Sequence, residues 1–348
     1  MTRPTFPVGA VAAVATSMFA MFAGLAGCAK TDSSTPAASA TSEPQPAVGE
    51  STAPAPNLST APVVPPAPAA PDASAAQEPV ATWKNVGLMT PESVLYDDAK
   101  DLYLVSNVNG GPTDRDNNGF ISRLTPDGTV ETLKWIEGGK NKVTLNAPKG
   151  SAFFGDKLYV ADIDTVRIFD RKTGAPAGEV KVPGATFLND ITATDNGVIV
   201  SDSGKKAGAK GFESTGTDAI YLVDKNKKLT TIAKSTDLAA PNGVLRQGRK
   251  TWVVTFGGDL YSIDDQGKKA DAQKLPKASL DGIILAPNGD LVISSWDAAA
   301  LYRGTPGSEF KVIIENVKSP ADIGFDTKRN RVLIPIFTGN EVRAFNLP

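Results

Sequence analysis

Six copies of one short apolar run, spread evenly over residues 81–348, constrain the fold more than any other feature. They are Leu102-Tyr103-Leu104-Val105, Leu158-Tyr159-Val160-Ala161, Val198-Ile199-Val200-Ser201, Trp252-Val253-Val254-Thr255, Leu291-Val292-Ile293-Ser294 and Val332-Leu333-Ile334-Pro335. A shorter run precedes each copy, starting at Ser93, Ser151, Ile191, Gly243, Gly282 and Asp322. A further strand follows, ending near Asp or Asn, as in residues 166–170, 220–224 and 342–346, and most units add another run, such as 129–133 or 311–314. Four short strands in a unit of about 40 residues, repeated without any long helical period, predict an all-β fold: a six-bladed β-propeller with four antiparallel strands per blade. The last unit stops at Pro348 before its fourth strand, and residues 83–86, which resemble 314–317, are free to supply it. The N-terminal strand is therefore expected to close the ring and remove the unpaired edges of an open repeat. A pair of stacked sheets is the alternative architecture.

The chain contains no His and a single Cys among 348 residues, which excludes Ser-His-Asp and Cys-His nucleophiles. Zinc on imidazole or thiolate is excluded for the same reason, so a bound metal must sit on oxygen. With 36 Lys plus Arg against 38 Asp plus Glu there is no basic field for a phosphate backbone, and no nucleic-acid partner is expected.

Residues 1–28 read as a leader. Arg3 is followed by an apolar run from about Val8 to Phe22 that ends in Leu25-Ala26-Gly27-Cys28. Gly24, Gly27 and the other small residues before Cys28 favour a cleaved segment over a membrane-spanning helix. The pattern resembles bacterial lipoprotein signals, which implies lipidation at Cys28, a location in the cell envelope, and membrane contact through that anchor only. Ala29 in place of Asp points to the periplasmic face of the outer membrane or the cell surface. Residues 29–80 are mostly Ala, Pro, Ser and Thr, a composition that cannot bury a core and is expected to be a disordered tether.

In a propeller the innermost strand of each blade lines the central channel, so the residues at its start converge on the axis. Those positions hold Glu92, Lys149, Asn189, Asn242, Asp281 and Asp322, every one polar and each just ahead of an apolar strand. Glu92, Asn189, Asn242 and Asp281 offer two carboxylates and two amide oxygens, a set suited to one hard divalent cation. Asn-Gly and Asp-Gly are also ordinary turn sequences, so any one position alone carries little. Lys149 could bind an anionic substrate group, offset a carboxylate, or pair with Asp322.

Two other segments stand out. Residues 114–119 match the first half of a calcium loop, but Thr125 occupies the place of the bidentate Glu, and a hairpin with an Asn-Gly turn is expected instead. Residues 204–217, rich in Gly and Lys, form an insertion between strands and lack the Gly-Lys-Ser/Thr of a phosphate loop.

The arrangement resembles the SMP-30/gluconolactonase family of six-bladed propellers, which hold one axial divalent cation and include lactone hydrolases. Glu92 matches the family's metal-binding Glu, Asn189-Asp190 its Asn-Asp pair, and Asn242-Gly243 and Asp281-Gly282 its later motifs, in the same chain order over about Thr82 to Pro348. The chain departs from the sugar lactonases in reading Glu92-Ser93-Val94 where they show Glu-Gly-Pro, and Phe187-Leu188 where an Arg precedes the Asn-Asp pair. The resemblance implies a metal-dependent hydrolase of a lactone or related ester. Its cofactor would be one divalent cation, with calcium expected ahead of magnesium, manganese or zinc. It further implies Asp281 as the catalytic base and Asp190 as a supporting residue, with Lys149 and Asp322 beside them. A non-catalytic lipid-anchored propeller that binds a ligand or protein is the alternative. A small-molecule substrate and a monomer are expected.

Overall fold

Each apolar run becomes the second strand of a four-stranded antiparallel sheet, and six such sheets form the blades of a propeller. The computed structural model describes residues 77–348 except Lys210. Cys28, the leader and nearly all of the tether lie outside the described residues.

The blades follow chain order. The first comprises Pro91–Asp97, Leu102–Asn107, Phe120–Leu124 and Val130–Glu137, and the second Pro148–Phe154, Lys157–Asp162, Thr165–Asp170 and Pro176–Lys181. The third comprises Leu188–Thr194, Gly197–Asp202, Ala219–Asp224 and Leu229–Lys234, and the fourth Pro241–Gln247, Lys250–Thr255, Asp259–Ile263 and Lys269–Lys274. Leu280–Leu285, Leu291–Ser295, Ala300–Gly304 and Lys311–Ile314 make the fifth. The sixth is Gly324–Asp326, Arg331–Ile336 and Glu341–Asn346, completed by Ala81–Lys84. Trp83 pairs with Val342 and Ala81 with Ala344, so the first strand of the described chain closes the ring against the last.

Position in the blade explains the sequence of each strand. Second strands are buried on both faces and read as continuous apolar runs; Leu102–Asn107 and Gly197–Asp202 are buried throughout. Fourth strands face solvent and turn polar, as in Lys269–Lys274. Six of the seven apolar clusters are wedges between neighbouring blades. Tyr159, Val166 and Ile168 of the second blade, for example, pack against Val198, Val200 and Tyr221 of the third. The seventh cluster lies at one end of the channel.

In the first five blades the innermost strand starts two or three residues earlier than the apolar pattern predicts, and in the sixth it starts two residues later, at Gly324. In the first five blades a register shift interrupts pairing at this start, between Pro91 and Ser93, Pro148 and Ser151, Leu188 and Ile191, Pro241 and Val244, and Leu280 and Ile283. A bulge frees the inserted residues from the ladder and re-aims their side chains. Those inserted residues are Glu92, Lys149, Asn189, Asn242 and Asp281 with their neighbours.

Two loops differ from expectation. Strands Leu102–Asn107 and Phe120–Leu124 do form a hairpin, but loop 108–119 joins them, not a tight Asn-Gly turn. Asp114 accepts the Gly111 amide at 2.8 Å, and Asn117, not Asn118, takes the left-handed conformation at φ 56°. Gly119 is needed for space, because a Cβ there would meet Asn146 O at 2.6 Å. The 204–217 insertion folds into its own two-stranded hairpin, Lys205–Gly208 against Gly211–Ser214.

Candidate functional site

The bulges gather the predicted polar residues at the axis and bury them. Glu92 is 7% exposed, Asp281 6%, Asp322 8%, Asp190 5%, Asn189 3%, Asn242 1% and Lys149 1%. Glycines let the inner strands approach closely enough for this. A Cβ on Gly150 would lie 2.5 Å from Asp190 Cα, one on Gly243 2.2 Å from Asp281 O, and one on Gly282 2.2 Å from Ile323 N.

Backbone bonds lock the first and last blades together, Asp322 N donating to Glu92 O at 2.8 Å and Val94 N to Asp322 O at 3.3 Å. Ser93 Oγ donates to Asp322 Oδ2 at 2.7 Å. On the opposite side Asn189 Nδ2 donates to Ser203 Oγ at 3.1 Å and also to Asn242 Oδ1. Asn242 Nδ2 in turn donates to Leu280 O at 2.9 Å. Asp281 Oδ2 accepts Trp296 Nε1 at 2.7 Å. Asp190 uses both oxygens on backbone amides, Oδ1 accepting Ile191 N at 2.6 Å and Oδ2 accepting Val244 N at 2.7 Å, so it joins the third blade to the fourth.

Four buried carboxyls thus share one region, and they repel each other. Desolvation, then the charges of Asp281 and Asp322, drive the Glu92 carboxyl well above the usual range, and desolvation with Asp322 does the same for Asp190. Desolvation first, then Asp322, pushes Asp281 up to about 8, and desolvation takes Asp322 to about 7. Lys149 is the buried cation facing them. Desolvation lowers it to about 8 against the attraction of Glu92 and Asp162. It donates to Ala147 O at 3.2 Å, lies 4.5 Å from the Phe187 ring centre, and forms no ion pair with Asp322. Glu92 Oε2 is buried with no hydrogen-bond partner.

These observations test the expected cation. An orphaned carboxylate oxygen among four acids and one ammonium fits a hard cation on Glu92, Asn189, Asn242 and Asp281. Among the described residues, however, no three acidic side chains draw together as a metal cluster, and the Asn242 carbonyl oxygen is turned to Asn189. The fit thus rests on amide as well as carboxylate oxygens.

Sequence reasoning missed the cover. Second strands end, and third strands begin, at the same end of the channel as these acids. From there Val108, Ala147, Ile163, Ala321 and Phe337 form a buried apolar cluster, with Trp296 packed against it. Ile163 holds φ 58°, a costly conformation for a β-branched residue, while its carbonyl accepts Leu188 N at 2.7 Å. Phe212 of the 205–214 hairpin stacks edge-on against Phe187 at 5.3 Å. The usable signal was the polar residue that ends five of the six second strands, such as Ser295 before Trp296. A cleft of about 370 Å³ lined by Lys318, Thr338, Glu341 and Arg343 lies elsewhere, on the sixth blade and its flanking loop, and none of the axial acids line it.

No protein-family model matches the chain, and no curated protein matches it. Solved structures do. A gluconolactonase of Xanthomonas campestris aligns at 17% identity and TM-score 0.57, over 75% of this chain and 87% of that one. Virginiamycin B lyase of Staphylococcus aureus aligns at 14% and 0.53, over 77% and 98%. The WD40 β-propeller domain of Doa1 aligns at 15% and 0.51, over 74% and 78%. Likeness at this identity, to two enzymes and a WD40 domain alike, is likeness of fold.

Proposed function

We propose that the protein is a metal-dependent hydrolase of a lactone or related ester, similar to gluconolactonases and held in the cell envelope by lipid at Cys28. The observation that carries the reading is the orphaned Glu92 oxygen within a buried set of four acids that a single lysine does not neutralise. Burying that charge uncompensated is costly, and a cation removes the cost. Glu92, Asn189, Asn242 and Asp281 would hold the ion, calcium by choice with magnesium, manganese or zinc as alternatives. When bound, it would polarise the ester carbonyl and stabilise negative charge on its oxygen.

The protein's own groups do the rest. Asp281 takes the proton of the attacking water, and Trp296 fixes the orientation of its carboxylate. Asp190 and Asp322, tied to Val244 N and Ser93 Oγ, hold the inner strands in register around the site. Lys149, beside Phe187, offers a positive charge to an anionic group of a small-molecule substrate. The missing Arg before Asn189 argues for a lactone other than a sugar acid's. No nucleic acid is a partner, and the monomer is the working form.

The apolar cover supports a second reading, a non-catalytic lipid-anchored propeller that binds a ligand or protein. Turnover requires Val108, Ile163, Trp296 and Phe337 to part, whereas a binding module does not. A panel of lactones with calcium, magnesium, manganese or zinc, run on the wild type and Asp281→Asn, separates the two. Chelator-sensitive turnover lost in the variant supports the hydrolase. Metal binding without turnover supports the binding module, and a chain that takes up no divalent ion removes the axial site.

A further inference from the structure

The cleft on the sixth blade lies where the chain closes its ring. One wall is the loop 316–319 that follows the fifth blade, and the other is the turn between Arg331–Ile336 and Glu341–Asn346. The two walls are tied together. Phe337 N donates to Ser319 O and Thr338 N to Ser319 Oγ, both at 3.1 Å, and the Ser319 and Thr338 hydroxyls lie 2.6 Å apart. Beyond the turn, Asn340 Oδ1 accepts Thr90 N of the chain entering the first blade at 2.7 Å. The hollow is thus pre-formed, and its volume of about 370 Å³ is within the range of small-molecule sites.

The charge of its lining is unbalanced. Glu341 is the one acid there, 2% exposed, and its oxygens already face two cations. Oε1 accepts Arg343 Nη2, and Oε2 lies 3.2 Å from Lys84 Nζ. Lys318, exposed and also in the lining, adds a further positive charge with no acid to match it.

Arg343 is the informative member. Its side chain is 29% exposed, yet only Nη2 has a partner among the described residues, while Nε and Nη1 have none. Arg329 is buried to a similar degree, at 25%, and its guanidinium takes Asp101 and Asp326 at 2.7 to 2.9 Å. The Lys318 ammonium and the Asn316 side-chain amide likewise make no hydrogen bond or ion pair among the described residues. Donors without acceptors therefore surround a net positive hollow, and an oxyanion would complete them.

We infer that this cleft binds a small molecule through a carboxylate or phosphate group, received by the Arg343 fork with Lys318 as a second charge and Asn316 as a neutral donor. Glu341 is a positioning residue that holds the guanidinium in place. None of the axial acids line the cleft, so the inference stands apart from the hydrolase reading. Lys84, Glu341 and Arg343 also staple Ala81–Lys84 to the last strand. A staple alone would give Lys318 no role, and the test uses that difference.

The test is calorimetric titration of the full chain with inorganic phosphate and, separately, succinate, at low ionic strength and without added divalent metal. One equivalent of at least one probe is expected to bind, more weakly as salt is raised. Lys318→Glu is expected to weaken binding by about tenfold or more while the Tm without anion stays at the wild-type value. Arg343→Lys keeps the charge and a partner for Glu341 but lacks the fork, and about a tenfold loss is expected. Circular dichroism identifies an Arg343 variant that has failed to fold, in which case Lys318→Glu, whose wild-type side chain is exposed and unpaired, decides. Absence of saturable binding by both probes overturns the inference, as does wild-type affinity in Lys318→Glu. Loss of binding in Lys149→Met with full binding in Lys318→Glu would move the anion to the axis and overturns it too.

Discussion

Trp296 Nε1 donates to Asp281 Oδ2 at 2.7 Å while its ring leans on Phe337 at a centroid distance of 5.5 Å. One side chain thus couples the axial acid to the apolar cover. Trp296→Phe keeps the ring contact and deletes the N–H. If Asp281 is the base, kcat/KM on a turned-over lactone should fall about 10- to 100-fold, with the circular dichroism spectrum unchanged. Equal kinetics in the variant would reduce Trp296 to packing.

The axial acids make a signed prediction for stability. Desolvation and neighbouring charge raise Asp281 to about 8 and Asp322 to about 7 in the fold, against about 4 for an unfolded Asp. The folded state therefore holds more protons than the unfolded state between these values. Its extra stability is complete below about pH 4 and is lost as pH rises toward 8. In chelator, Tm should fall across this window, by about 2–4 °C for each kcal/mol lost. Calcium should restore it at the upper end, and Glu92→Gln should flatten the decline. A chelated protein whose Tm is level from pH 4 to 8 would show that the acids do not interact as described.

Gly282 gives a sharper test of how the axis is built. A Cβ there would lie 2.2 Å from Ile323 N and 2.8 Å from Asp322 Cα, both backbone atoms of the next blade. Gly282→Ala should therefore destabilise by about 1–3 kcal/mol or more in urea denaturation, since neither neighbour can rotate away. Gly128→Ala is a useful contrast, because its added Cβ has no neighbour within 4 Å and only its φ of 102° opposes it. A cost at Gly282 no larger than at Gly128 would contradict the close approach of the fifth and sixth blades.

These expectations show which parts of the molecule a sequence can reveal. The blades were legible because a strand buried on both faces is apolar over most of its length, as residues 197–200 are ahead of the buried Ser201 and Asp202. The positions of Glu92, Asn189, Asn242 and Asp281 were legible because a polar residue interrupts the pattern at one fixed point per unit. Their partners were not. Trp296 reads as one more apolar residue after a strand, and nothing local tells that its N–H reaches Asp281. Asp190 looks like a companion of Asn189, yet its oxygens are committed to Ile191 N and Val244 N, the second of these in another blade. The missing cation beside Asp202 emerges only when the third blade is compared with the second, where Arg167 fills the place of Tyr221 and pairs with Asp162.

Ring closure rests on few residues and can be tested directly. Ala81–Lys84 supplies the outer strand of the sixth blade, and Trp83 is its anchor. The indole is fully buried, meets Tyr103 of the first blade edge-on at 5.6 Å, and donates to Thr129 O at 2.9 Å. Trp83→Ala removes that wedge between the last blade and the first, at a cost of about 3–5 kcal/mol. Truncation through Lys84 goes further and exposes Glu341–Asn346 as an unpaired edge, which should promote association between chains. Denaturant melts of Trp83→Ala and light scattering of the truncated chain read out the two effects separately. A truncated chain as stable and monodisperse as the parent would mean that the blade is held without its fourth strand.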